Sequence, residues 1–315
     1  EYDTAHVYAM EWMRDPSKYD LLMRSAEAAV HNRDVDGVHY AENPRDVGTV
    51  HAHSMFHTGG YTITGEQGIA MDGGGFNRGH VWTRGLFDHA VLLGDRRSME
   101  WALVVSDYLA GPFTVGFSVG NHAERDTAWP LFGVLAAYEY TADPYYLNAA
   151  RLMVDDVLRR QSPETGNWGF PAGYSKAVPQ PTGGYAWCCG LLITALNQYN
   201  EYVQDPRVDE AIVRAARWLV RDEWVKDKQG FRATSCPTFN AGTPAGGACW
   251  SCANAMLIAY ELTGEQEFLS IARKGYALQM RGTSDIGKTV TQTICLGPET
   301  LWRLKEAGIK SLAVE

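Results

Sequence analysis

The chain has 315 residues, of which 45% are hydrophobic, and carries 28 Lys and Arg against 37 Asp and Glu for a net charge of -9. This is ample for a buried core, in one large domain or two. No Lys/Arg-rich run is present and no stretch approaches the ~18 consecutive apolar residues of a membrane span, so neither nucleic acid nor a membrane is expected as a partner.

The chain starts at Glu1 without an initiator Met. A processed or excised piece of a longer protein is expected, and the missing signal sequence does not fix a compartment. Residues 4–14 and 17–31 read as two helices. In the second, Tyr19, Leu22, Met23, Ala26, Ala29 and Val30 recur at helical spacing, and Pro16 stands where a helix start accepts it. Residues 33–77 lack clear periodicity and are rich in Gly, Asp, Asn and His. A loop of that length in a compact protein is usually functional or mobile. A helical pattern is expected from His80 to Leu93.

An internal repeat follows. Apolar helices containing Gly85–Leu93, Leu131–Thr141, Leu191–Tyr199 and Ala255–Thr263 are each followed by a turn and an amphipathic helix. The turns fall at Asp95, Asp143, Asp205 and Gly264. A period of about 50–60 residues suits a helical hairpin. The first helix of each pair is apolar nearly all round and should be buried, while the second is charged on one face and should lie outside. With an N-terminal pair and a final pair near 287–308, six hairpins result. They argue for an all-α fold, an (α/α)6 toroid or six-hairpin barrel, as a single domain over 1–315. An open solenoid would call for polar capping repeats at its ends. The inner helices are predicted at 80–93, 126–141, 185–200 and 249–262. The long connections 33–77, 111–124, 162–184 and 224–248 should gather at one end of the ring.

Candidate chemistry lies on those connections. The stretch His51–Arg84 packs His, Arg, Trp and Gly more densely than any other part of the chain. Glycines let backbone approach a ligand, helix starts supply unpaired N–H groups, and imidazoles titrate near neutrality. His53, His57 and His80 are candidate bases here, and Asn77, Arg78, Trp82 and Arg84 candidate substrate contacts. The second connection offers Asn121, His122, Glu124 and Arg125 before or within the first turn of a helix. Acids there favour the helix dipole, but Arg125 does not, which suggests a task for it. Gln161, Gly166 and Trp168 read mainly as a structural staple, with Trp168 also a candidate platform for a sugar. Tyr185 is a candidate pocket wall or proton donor, or a buried core tyrosine.

The six cysteines are Cys188, Cys189, Cys236, Cys249, Cys252 and Cys295. Cys249 and Cys252 have CxxC spacing, but a second pair at matching spacing is missing. Buried structural thiols are the better reading, with no metal and no cofactor expected.

Gly79-His80-Val-Trp82-Thr-Arg84-Gly85-Leu86, ending Leu93-Gly94-Asp95, resembles the GHxWxxGLxxxYxLTGD pattern of bacterial (α/α)-toroid carbohydrate-active enzymes. It is similar in particular to the central domain of exo-rhamnogalacturonan-lyase-like proteins. The run Arg125…Trp129-Pro130-Leu131, the turn at Asp143 and the closure Gln161…Trp168 are similar to that group as well. The resemblance implies an enzyme degrading a polysaccharide or oligosaccharide. For a uronate glycan, β-elimination needs a group that neutralises the carboxylate, a base and an acid. Asn121 and Arg125 suit the first task, His53, His57, His80 or His122 the second, and Tyr185 or another histidine the third. These residues are expected to converge at one mouth of the ring, and the partner is a carbohydrate, anionic on this reading. A glycoside hydrolase is the alternative, drawing a carboxylate pair from Glu66, Asp72, Asp88 and Glu124. A non-catalytic glycan-binding or structural toroid is a third.

Overall fold

The computed structural model describes residues 2–42, 44, 47–49, 78–111, 123–171, 182–234, 246–283 and 287–312. Their regular structure is almost wholly helical. The α-helices are α1 (Thr4–Arg14), α2 (Tyr19–His31), α3 (Arg84–Leu93), α4 (Arg96–Ala110), α5 (Ala123–Thr141), α6 (Pro144–Arg160), α7 (Ala186–Val203), α8 (Pro206–Trp218), α9 (Gly246–Thr263), α10 (Gln266–Gly282), α11 (Gly287–Cys295) and α12 (Gly297–Glu306). Two short antiparallel pairs join them: β1 (Phe170–Pro171) with β2 (Thr182–Gly183), and β3 (Trp224–Val225) with β4 (Gly230–Phe231).

The repeat turns share one local construction. A left-handed residue precedes an acidic residue at Gly94, Ala142, Gln204 and Gly264, with φ of 70°, 55°, 55° and 74°. Three of the following acids accept from the new helix's first N–H groups: Asp95 from Ser98 at 3.1 Å, Asp143 from Tyr145 at 2.9 Å and Asp205 from Arg207 at 2.9 Å. The left-handed residue turns the chain and the carboxylate caps the next helix. This is the physical content of the repeated Gly/Asp/Pro signal. The helix pairs α1/α2, α3/α4, α7/α8 and α9/α10 pack together accordingly.

The chain divides into two compact units. One comprises Glu1–Val115, Trp129–Leu152 and Ser284–Cys295. Its interior holds an aromatic cluster in which Tyr2, Trp82 and Trp129 meet pairwise at 5.8–6.2 Å between ring centroids. The expected helix start at His80 is corrected here. Residues 78–80 form a single 3₁₀ turn and α3 begins only at Arg84. The cause is distant in sequence. Asp3, itself buried, accepts from the Gly85 N–H at 3.1 Å and from Arg84 Nε at 3.0 Å. This carboxylate caps α3 in place of a local side chain. Pro16 is corrected too: it lies in the turn between α1 and α2, and α2 starts at Tyr19 rather than at residue 17. Replacing Asp3 by Ala should cost about 3 kcal/mol, because Arg84 then loses its partner in a buried setting. A urea midpoint shift under ~0.5 kcal/mol would contradict that account.

The other unit comprises Gly116–Ala128, Met153–Thr283 and Leu296–Glu315. Its core is α7 against α9, both buried nearly all round, with α8 and α10 amphipathic outside them. The backbones approach so closely that a Cβ on Gly190 would stand 2.7 Å from the Ser251 carbonyl carbon. The Gln161 staple lies here as well. Its amide donates to the Gly166 and Ala211 carbonyls, both at 2.8 Å, and its oxygen accepts from Arg214.

Candidate active site

The first turn of α5 brings Glu124, Arg125 and Asp126 together. Glu124 is wholly buried, and no other described residue hydrogen-bonds to its carboxylate oxygens. Burial is the main force on it, and the charge of Asp126 adds to it. Together they push its pKa up to about 8, against a smaller opposing backbone hydrogen bond. At neutral pH this carboxyl keeps its proton. Arg125 is also buried; its Nε donates to Asp126 at 3.1 Å, and its guanidinium lies 5.6 Å from the ring centre of Trp187 in the first turn of α7. Next to Trp187, the Cys188 and Cys189 thiols are held far up by burial and further raised by the Glu124 charge. The same helix turn therefore carries one proton held in an apolar setting and, on the next residue, one buried cation over an aromatic face.

Tyr185 is buried immediately before α7, and its backbone pairs with Thr234. Trp168 is also buried, with its indole N–H donating to the Val157 carbonyl at 2.9 Å. That corrects its reading as a sugar platform, since a ring with 2% of its surface exposed has no free face for a sugar. Trp187, which sequence reasoning passed over, is the half-buried aromatic beside Arg125. Its signal was a place two residues after Tyr185 at a helix start.

His80, Trp82 and Arg84 belong to the first unit. His80 is buried edge-on to Trp82, with centroids 6.0 Å apart. Trp82 is committed to the aromatic cluster. Arg84 is committed to Asp3 and lies 4.9 Å from the centre of the Phe132 ring. Their assignment as substrate contacts is corrected on that ground: core packing and a helix cap occupy both side chains. Asp88, considered for a hydrolytic pair, is likewise engaged, at 2.7 Å from His6 Nδ1 and accepting from the Tyr140 hydroxyl at 2.6 Å. His53, His57, Asn77, Asn121 and His122 lie outside the described residues, as do Glu66, Asp72, Cys236 and the side chain of Arg78. The remaining five cysteines are buried and unbridged.

No family model matches the sequence, and neither does any curated protein. Solved structures do match. A polysaccharide lyase aligns over 100% of this chain and 92% of its own, at 11% identity and a TM-score of 0.65. A glycosyl hydrolase of family 88 from Bacteroides vulgatus aligns over 95% and 92%, at 12% identity and 0.62. A sugar epimerase from a ruminal bacterium aligns over 90% and 76%, at 9% identity and 0.63. The chain has an (α/α)-toroid fold. At such identities the likeness speaks for architecture alone, and the chemistry has to be argued from the site.

Proposed function

We propose that this toroid is a carbohydrate-processing enzyme that cleaves a uronate-containing glycan by β-elimination. The observation that carries the reading is that consecutive residues of one helix turn, Glu124 and Arg125, are a proton-holding carboxyl and a buried guanidinium. A guanidinium that takes the charge of a uronate carboxylate makes the neighbouring C5 proton more acidic. A base then removes that proton, the C4–O bond breaks, and an acid protonates the departing oxygen. Glu124 has its proton available at neutral pH and suits the acid role alongside Tyr185. His122 is the candidate base, and Asn121 stands with Arg125 for the carboxylate. The neighbours named a polysaccharide lyase and a family 88 glycosyl hydrolase support carbohydrate as the substrate class.

Glu124 also favours a second reading, a glycoside hydrolase. A carboxyl kept neutral by an apolar setting is what a hydrolytic acid requires. One assay separates the two. The protein is incubated with a panel of uronate polysaccharides while the ultraviolet absorbance of unsaturated uronates and the release of reducing ends are followed together. Elimination raises both signals. Reducing ends without absorbance assign hydrolysis, and silence across the panel removes the enzymatic reading for these glycans.

A further inference from the structure

The second unit contains a cavity of about 670 Å³ between the end of α6, the staple loop, β2 and the segment that follows α8. Its lining includes Arg160, Asn167, Gly183, Trp218, Arg221 and Arg232. None of these residues belongs to the α5 turn that holds Glu124 and Arg125. Three arginines face the cavity against a single lining acid, Asp222.

The arginines are not equivalent. Arg160 is paired with Asp156 at 3.1 Å. Arg221 is held by both oxygens of Asp222, at 2.8 and 2.7 Å, and by the Thr165 carbonyl at 3.2 Å. Arg232 has no acceptor among the described residues. Its backbone N–H is fixed on the Glu223 carbonyl at 2.9 Å, while its Nε is buried without a partner. Arg232 as a whole is only half-buried, but a charged Nε–H withheld from both water and protein is costly unless something else fills it.

A second donor in the same wall is also unengaged. Asn167 is 8% exposed, and its carbonyl oxygen already accepts from the Thr165 hydroxyl at 2.7 Å and the Gly169 N–H at 3.3 Å. These bonds fix which way the amide faces and leave Nδ2 without an acceptor among the described residues. The wall is rigid around it. A Cβ at Gly184 would meet the Trp218 ring at 2.7 Å and Asn167 Nδ2 at 3.4 Å, so backbone presses directly on both.

From this geometry we infer that the cavity binds a carboxylate-bearing sugar, with Arg232 on the carboxylate and Asn167 Nδ2 on a hydroxyl or ring oxygen. Its volume falls in the range of small-ligand sites, roughly 300–1,000 Å³. An unpaired guanidinium selects a planar oxyanion, and a neighbouring amide donor adds a group that a bare ion would not use. The choice of a sugar rests on the carbohydrate reading above; the anion requirement does not.

The test is a calorimetric titration of the whole chain with D-glucuronate, D-glucose and inorganic sulfate, repeated on Arg232→Gln and Arg232→Lys. Glucuronate should bind the wild type, glucose should not saturate over the same range, and sulfate should bind at least several-fold more weakly than glucuronate. Arg232→Gln should weaken glucuronate at least tenfold with its helical circular dichroism unchanged. Arg232→Lys should recover part of that loss, because the charge returns without the planar fork. If Arg232→Gln does not fold, Arg232→Lys alone decides, with a loss of about threefold or more expected. Unchanged affinity in the variants overturns the proposal, as does equal affinity for glucose or for sulfate. Binding is read without turnover, so a protein that binds glucuronate through Arg232 yet cleaves no glycan would refute the enzymatic reading and leave this one standing.

Discussion

Glu124→Gln should lower turnover on a cleaved glycan by roughly 10²–10⁴-fold, the usual loss on removing a general acid. It should also make the fold more stable at pH 8 than the wild type. The second effect follows from burial alone and does not depend on the reaction. In the unfolded chain the Glu124 carboxyl titrates near 4.5, and in the folded chain near 8. Below 4.5 both states hold the proton, and the group's contribution to stability is fully present. Between 4.5 and 8 only the folded state holds it, so the unfolded state gains by ionising and stability falls as pH rises. Across the whole window the loss is on the order of 5 kcal/mol. Glutamine has nearly the same shape and no proton to lose, so its stability should not decline through this window on account of residue 124. Urea midpoints of the two proteins at pH 5 and pH 8 check this. The advantage of the variant should grow by several kcal/mol between them. A constant difference would mean that Glu124 is already ionised in the fold, and with it the case for Glu124 as a proton donor would fail.

Much of the architecture could be read from residue patterns, because the repeat is enforced locally. Helices α7 and α9 carry apolar side chains on every face, and the turns at Asp95, Asp143 and Asp205 combine a left-handed residue with a capping carboxylate. Both signals lie within a few residues of the structure they produce. The start of α3 was misread because its cap, Asp3, stands 82 residues away from Gly85. Local spacing cannot report such a partner. The expectation of Trp82 and Arg84 as substrate contacts fails for the same reason. Their types suit a binding site, but the aromatic cluster and Asp3 that engage them are contributed by other segments. At Arg125 the sequence argument was of another kind. A cation in the first turn opposes the helix dipole, which marked it as unusual before its position beside Trp187 was known. The state of Glu124 was not legible at all. A first-turn acid ordinarily reads as an ionised partner of the dipole, and only complete burial reverses that.

Gly190→Ala should destabilise the protein by about 3 kcal/mol or more, near the upper end for overpacking. The added Cβ would lie 2.7 Å from the Ser251 carbonyl carbon, 2.8 Å from the Cys252 nitrogen and 2.9 Å from the Ser251 oxygen. All three are backbone atoms of α9. They cannot rotate away as a side-chain tip can, so the two most buried helices of this unit must separate. Gly282→Ala provides the comparison, since a Cβ there meets nothing within 4 Å and Gly282 ends α10. That variant should be neutral or gain up to about 1 kcal/mol from the reduced freedom of its unfolded chain. The damage at Gly190 should also reach the candidate site. The Ser251 hydroxyl donates to the Trp187 carbonyl at 2.8 Å, which ties α9 to the first turn of α7, whose Trp187 ring lies beside the Arg125 guanidinium of α5. Separating the helices at Gly190 therefore pulls on Trp187. At a temperature where Gly190→Ala is still fully folded, its affinity for an acidic oligosaccharide should fall together with its urea midpoint, while Gly282→Ala changes neither. Equal midpoints for the two variants would show that α7 and α9 are not in the close contact from which this coupling is argued.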